Sequence, residues 1–162
     1  MEPQERVRIH MTVNGHEESR QVEARRTLAD FLREDLGLRG THIGCEQGAC
    51  GACTVLVDGT PMLSCLVLPD QVEESEVTTV EGLADGATLH PLQQAFMDLG
   101  ASQCGYCTSG MLLSAKALIE ENPSPTTGEI REALSGNLCR CTGYASIVDA
   151  VALAASNLRG TR

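Results

Sequence analysis

Val7, Ile9, Met11 and Val13 alternate with Arg8, His10 and Thr12, the period-two pattern of a strand with one buried face. Asn14 and Gly15 follow, two residues that tolerate positive φ, so a type I′ turn and a return strand over about Glu17–Ala24 are predicted. The period then lengthens. Thr27 is a candidate N-cap, and Leu28, Phe31, Leu32 and Leu36 fall on one helical face before Gly37. The glycine-dense stretch 44–53 fits neither period. Beyond it, Thr54–Val57 and Met62–Leu68 read as strands joined across Asp58-Gly59, and Val77–Val80 as a short edge strand. Together these predict a small α/β unit with a helix laid across a mixed sheet.

After a polar join over residues 81–90, the strand signals stop. Leu92, Ala95, Phe96 and Leu99 keep helical spacing up to Gly100. Met111 to Ile119 form a second apolar helix, ended by Asn122-Pro123-Ser124-Pro125. Thr126 with Glu129 makes a capping box for a third helix carrying Ile130, Ala133, Leu134 and Leu138. Ile147, Val148, Val151, Ala154, Ala155 and Leu158 line a fourth. These stripes are read as core, and four helices in two hairpins predict a bundle. The chain is thus expected to divide at 1–80 and 81–162.

Composition adds constraints. Of 162 residues 42% are apolar and 21% charged, the balance of a folded globular chain. Aromatics are only Phe31, Phe96, Tyr106 and Tyr144, so each half has a modest core of the kind that is often stapled. A formal charge of -10 argues against nucleic acid or anionic membrane as main partners. No apolar run approaches the ~18 residues of a membrane span. The opening MEPQERVRIH has no apolar signal region, and Arg25-Arg26 is followed by a charged, helix-patterned segment. A cytoplasmic location is expected, where thiols stay reduced and clustered cysteines bind metal.

Cysteine is the informative residue type. Cys45, Cys50, Cys53 and Cys65 follow C-x4-C-x2-C, then eleven residues, then C. This is the plant-type arrangement for a 2Fe–2S cluster, with a shorter gap before the last ligand. A loop around such a core supplies three thiolates and a neighbouring strand is expected to supply the fourth. Gly44, Gly48 and Gly51 let the loop curl and turn N–H groups toward sulfur. Four thiolates also suit a structural zinc, although zinc sites usually combine two short pairs. His42, just before the loop, is read as an ordinary loop residue.

Cys104-x2-Cys107 and Cys139-x-Cys141 form a second quartet, with 31 residues between Cys107 and Cys139. Each pair precedes a predicted helix, whose N-terminal N–H groups favour an anionic centre. Zinc or a dithiol redox pair fits this spacing too, but a thioredoxin-like pair belongs in a βαβ setting. No Ser-His-Asp order, paired-carboxylate motif or lysine-bearing phosphate loop is present, so substrate chemistry is not expected in this chain.

GCEQGACGACTV at 44–55, QCGYCTSGM at 103–111 and GNLCRCTGY at 136–144, in that order, resemble the iron–sulfur subunit of the molybdenum hydroxylases, the xanthine oxidase, aldehyde oxidoreductase and carbon monoxide dehydrogenase family. The resemblance spans nearly the whole chain. It implies an α+β chain with an N-terminal β-grasp 2Fe–2S ferredoxin-like domain, followed by an all-α four-helix-bundle 2Fe–2S domain. Ser109 departs from the family, which often has Pro there.

The resemblance further implies two 2Fe–2S clusters, held by Cys45, Cys50, Cys53 and Cys65 and by Cys104, Cys107, Cys139 and Cys141. It implies single electrons leaving a molybdopterin centre in a large subunit and ending on FAD in a medium subunit. Cys141 and Gln103 are expected beside the pterin, and relatives favour a dimer of heterotrimers. A free two-cluster ferredoxin-type carrier is the alternative.

Overall fold

The computed structural model describes residues 5–160. Strands β1 (Arg6–Val13) and β2 (His16–Glu23) form the expected hairpin, with φ of 50° at Asn14 and 79° at Gly15. The Thr27 hydroxyl accepts from the Asp30 amide and starts α1 (Leu28–Asp30). The chain does not stay α-helical to Leu36 but widens into a π-helical turn over Phe31–Asp35. Leu28, Ala29, Phe31 and Leu32 are all buried along this composite helix.

Strands β3 (Thr54–Val57), β4 (Thr60–Leu63) and β5 (Glu76–Thr78) complete a five-stranded sheet in the order β2-β1-β5-β3-β4. Two expectations are corrected here. The Val77 segment is not an edge: β5 runs parallel to β1 and antiparallel to β3, with Val77 wholly buried between Val13 and Val57. Its three residues offer too little pattern to show which strands flank them. The predicted strand Met62–Leu68 begins at Thr60 and ends at Leu63, then tightens into a 3₁₀ turn, Ser64–Leu66. The Ser64 hydroxyl and amide both donate to the Cys53 carbonyl, at 2.6 and 3.3 Å, and this turn brings Cys65 to Cys53.

The second half is built from α2 (Pro91–Asp98), α3 (Thr108–Glu121), α4 (Thr127–Ala133) and α5 (Ala145–Gly160). The capping box of α4 is present, with Glu129 accepting from the Thr126 amide at 2.6 Å and Thr126 accepting from the Glu129 amide at 3.3 Å. Leu138 corrects a third expectation. It lies beyond α4 in the loop to Cys139 and is 57% exposed.

Two main apolar cores result, with a small third cluster of Ala29, Cys53 and Cys65. Ile9, Met11, Phe31, Val55 and Val77 fill the first, while Leu92, Met111, Ile130, Ile147 and Val151 fill the second. They meet at β3, which is buried on both faces. Val55 and Val57 pack into the sheet core, whereas Leu56 belongs to the helical one and α3 lies against the strand. An unbroken apolar run, Val55-Leu56-Val57, is what such a two-faced strand requires.

Candidate metal centres

The eight cysteines are all free thiols and interact in two sets of four, Cys45, Cys50, Cys53 and Cys65, and Cys104, Cys107, Cys139 and Cys141. Within each set the thiol side chains interact mainly in twos: Cys45 with Cys50, Cys53 with Cys65, Cys104 with Cys141 and Cys107 with Cys139. Cys53 and Cys65 are buried and Cys45 and Cys50 lie nearer the surface. Cys107 and Cys139 are half-buried, while Cys104 and Cys141 are exposed. Each quartet therefore has an inner and an outer pair. Among the described residues no group of three or more His, Cys, Asp or Glu is placed to hold a single metal ion. Two thiols per metal, in adjacent pairs, is the donor arrangement of a diiron core.

The thiols differ electrostatically within each quartet. The Gln47 amide, 3.4 Å from the Cys45 sulfur, leads a set of hydrogen bonds that bring its pKa down to about 7. The Tyr106 amide does the same for Cys104, holding its thiol below the ordinary range. Burial pushes Cys65 up to about 11 and Cys107 up to about 12, with the neighbouring Cys53 and Cys139 thiols adding to each. Cys141 is raised by its hydrogen bond with the Cys104 thiol. Burial opposes ionisation of Cys139, but the Thr142 hydroxyl (3.1 Å) and amide (3.5 Å) outweigh it and lower its pKa. Donors aimed at sulfur stabilise thiolate charge, and for the raised thiols Cys65 and Cys107 metal coordination favours the ionised form that burial opposes.

The two sites are fastened to each other through main-chain atoms. The Leu138 amide donates to the Cys50 carbonyl at 2.8 Å. One hydrogen bond and short stretches of chain therefore link a thiol of each quartet, Cys50 and Cys139. Asn137, only 3% exposed, donates to the Gly51 carbonyl at 2.9 Å and accepts from the Ser114 hydroxyl at 2.8 Å. Gly51 has a φ of +71°, and a Cβ there would overlap the Gly136 carbonyl oxygen. A Cβ on Gly110 of α3 would likewise overlap the Gly51 carbonyl oxygen. Backbone meets backbone at this seam, and only glycine permits it.

Sequence reasoning missed two residues at this junction. Asn137 stands inside a quoted motif, but its role rests on partners 23 and 86 positions away. His42 is not an ordinary loop residue: its ring stacks on Tyr106, centroids 4.8 Å apart. Tyr144 turns inward, accepting from the Cys139 amide at 2.8 Å and donating to the Asn137 carbonyl. Gln103 is exposed beside Cys104. The Cys139–Cys141 pair does not abut its helix, since Thr142, Gly143 and Tyr144 intervene before α5.

A sheet half and a helical half, each with a cysteine quartet and joined beside Cys50, have the layout of a two-centre iron–sulfur protein. Family models agree: a 2Fe-2S iron-sulfur cluster binding domain matches residues 11–84 and a 2Fe-2S binding domain matches residues 79–152. The chain belongs to the family of small iron–sulfur subunits of the molybdenum hydroxylases, and its role is electron transfer. It is 56% identical over 149 residues to the nicotine 6-hydroxylase small subunit of Paenarthrobacter nicotinovorans, covering 92% of this chain and 90% of that one. The nicotinate dehydrogenase small FeS subunit of Eubacterium barkeri is 49% identical over 146 residues, covering 90% and 93%.

Among solved structures, quinoline 2-oxidoreductase from Pseudomonas putida 86 superposes with a TM-score of 0.90 at 52% identity, over 96% of this chain and 98% of that one. The aldehyde oxidoreductase of Desulfovibrio gigas gives 0.91 at 42% identity, over 96% of this chain but 18% of that longer one. Among the described residues no helix is long and apolar enough to cross a membrane.

Proposed function

We propose that this chain is the electron conduit of a molybdenum-dependent hydroxylase, with Cys45, Cys50, Cys53 and Cys65 ligating one 2Fe–2S cluster and Cys104, Cys107, Cys139 and Cys141 the other. The observation that carries the proposal is the two-by-two interaction of the thiols in both quartets, joined by the Leu138–Cys50 hydrogen bond. A bound 2Fe–2S cluster takes up and gives back one electron at a time at a potential set by its surroundings. The protein's part is to hold and tune. Amides of Gln47 and Tyr106 and the Thr142 hydroxyl donate toward sulfur, which favours added negative charge. Main chain between Cys139 and Cys50 gives a bonded route interrupted by a single hydrogen bond.

The exposure of Cys104 and Cys141, with Gln103 beside them, supports an outer face for the second site that docks on a large molybdopterin-binding subunit. In this reading Gln103 and Cys141 lie against the pterin, and the first site faces a medium subunit carrying FAD. The assembly is a cytoplasmic dimer of heterotrimers, with the division inside this chain near residue 80. The chain itself holds no substrate-converting site. Relatives named for nicotine, nicotinate and quinoline support an aromatic N-heterocycle as the substrate, chosen by the large subunit.

The native complex decides the matter. Two clusters of two irons and two sulfides require four of each per chain, and full reduction must give two distinct paramagnetic signals. Cys107→Ser is expected to alter one signal and Cys53→Ser the other. One signal only, or an iron-free zinc protein, overturns the reading, and elution near 17 kDa as a lone chain favours the free carrier instead.

A further inference from the structure

The seam has a second fastening, separate from Asn137. Tyr106 lies between Cys104 and Cys107, yet all its longer contacts reach the segment leading into Cys45. Its hydroxyl donates to the Ile43 carbonyl at 2.6 Å. Its carbonyl lies 2.9 Å from His42 Nδ1, and the two rings stack within 15° of parallel. A Cβ on Gly44 would stand 3.4 Å from the Tyr106 ring and 3.1 Å from the Cys50 sulfur, so the ring packs directly over the first loop. Gly44, Cys50 and Tyr106 close one wall of a cavity of about 280 Å³ whose other walls carry the second quartet. Tyr106 remains 48% exposed despite these contacts.

A stacked pair at so exposed a place adds little to the stability of a chain this size. The arrangement matters more for geometry. The same residue has its amide aimed at Cys104 and its side chain anchored two residues before Cys45. We propose that Tyr106 and His42 are positioning residues, a clasp that fixes the separation and orientation of the two metal-binding loops and so sets how strongly the two centres communicate. This rests on both quartets holding clusters, as proposed above. The clasp and the Asn137 contact grip the junction at two places, so the loops are held against tilting as well as sliding.

The test uses the purified native complex with Tyr106→Ala, Tyr106→Phe and His42→Ala. Each is assayed for iron and sulfide, for the mutual splitting of the two paramagnetic signals on full reduction, and for the rate at which an electron redistributes between centres after flash reduction. Tyr106→Ala and His42→Ala are expected to keep full metal content, lose part of the splitting and redistribute the electron more slowly. Tyr106→Phe, which keeps the ring and loses only the hydroxyl, is expected to restore most of both.

Unchanged splitting and rate in Tyr106→Ala at full metal content overturn the clasp, as does a wild-type complex whose two signals show no mutual splitting. If Tyr106→Ala does not load iron, His42→Ala, outside both ligand segments, decides by the same outcomes. A wild-type complex with fewer than two signals refutes the two-cluster reading instead, so the two failures are distinct.

Discussion

Replacing Gly110 by Ala tests the seam at its tightest point. Gly110 lies inside α3 with ordinary helical backbone, so on propensity alone the substitution stabilises by about 0.8–1 kcal/mol. The structure predicts the opposite sign. The new methyl would overlap the Gly51 carbonyl oxygen and stand 2.8 Å from Asn137 Nδ2. Neither neighbour is free to move. The Gly51 carbonyl accepts from the Thr54 hydroxyl at 2.7 Å, the Thr54 amide at 3.1 Å and Asn137 at 2.9 Å, and α3 is held on its other side by the helical core.

Relief requires moving the loop away from the helix, at an overpacking cost of about 1–3 kcal/mol. It also weakens one or two hydrogen bonds, worth about 0.5–1.5 kcal/mol each. After the propensity gain, the middle of these ranges leaves a net loss of about 2–3 kcal/mol. For a chain of this length that lowers the midpoint by about 4–12 °C. The assay is bleaching of the cluster absorbance on heating, wild type and variant at one scan rate because the loss is irreversible. Gly128→Ala, at an exposed position of α4 where a Cβ would meet only the Thr126 hydroxyl at an ordinary 3.8 Å, is the control and is expected to be neutral or stabilising. A Gly110→Ala protein as stable as wild type would refute the close approach of helix and loop.

Asn137→Ala leaves the buried Ser114 hydroxyl without its acceptor, a cost of about 1–3 kcal/mol. The Ser114→Ala/Asn137→Ala double variant is expected to lose less than the sum of the single losses, which a double-mutant cycle by denaturation measures. Chelating the iron is expected to abolish the cooperative thermal transition, because each half has a thin core; far-UV circular dichroism with a sharp, unshifted midpoint would contradict this. Burial, with the Lys116 charge adding to it, lowers the pKa of His90, whose neutral Nδ1 accepts from the Leu92 amide at 3.2 Å and caps α2. A depressed folded-state pKa means stability is full above the unfolded value of about 6.5 and declines as pH falls below it. His90→Asn, a cap that does not titrate in this range, is expected to flatten that slope between pH 7.5 and pH 5.5 in denaturation midpoints (roughly the window set by the histidine value).

Local chemistry was legible in the sequence wherever its cause was local. Alternation in 7–13, the Asn14-Gly15 turn and the Thr126–Glu129 box depend on neighbours within a few positions, and the structure has all of them. Val77 failed as an edge because its two partners come from residues 12–13 and 56–57, and a three-residue run carries no record of them. Leu138 has the spacing of a core residue, yet the turn after Leu134 removes it from the helix and spends its amide on Cys50. His42 and Asn137 were invisible for the same reason: their partners lie 23 to 86 positions away.

The seam between the halves is drawn largely in peptide atoms: the Cys50 and Gly51 carbonyls, the Leu138 amide, and glycines where a methyl would intrude. Peptide groups are common to every amino acid, so evolution can repaint the outer side chains to suit new companions without disturbing the spacing of the redox pair. The same cartridge then serves as a separate polypeptide, as in the quinoline enzyme, or as a short stretch of a much longer one, as in the Desulfovibrio gigas protein.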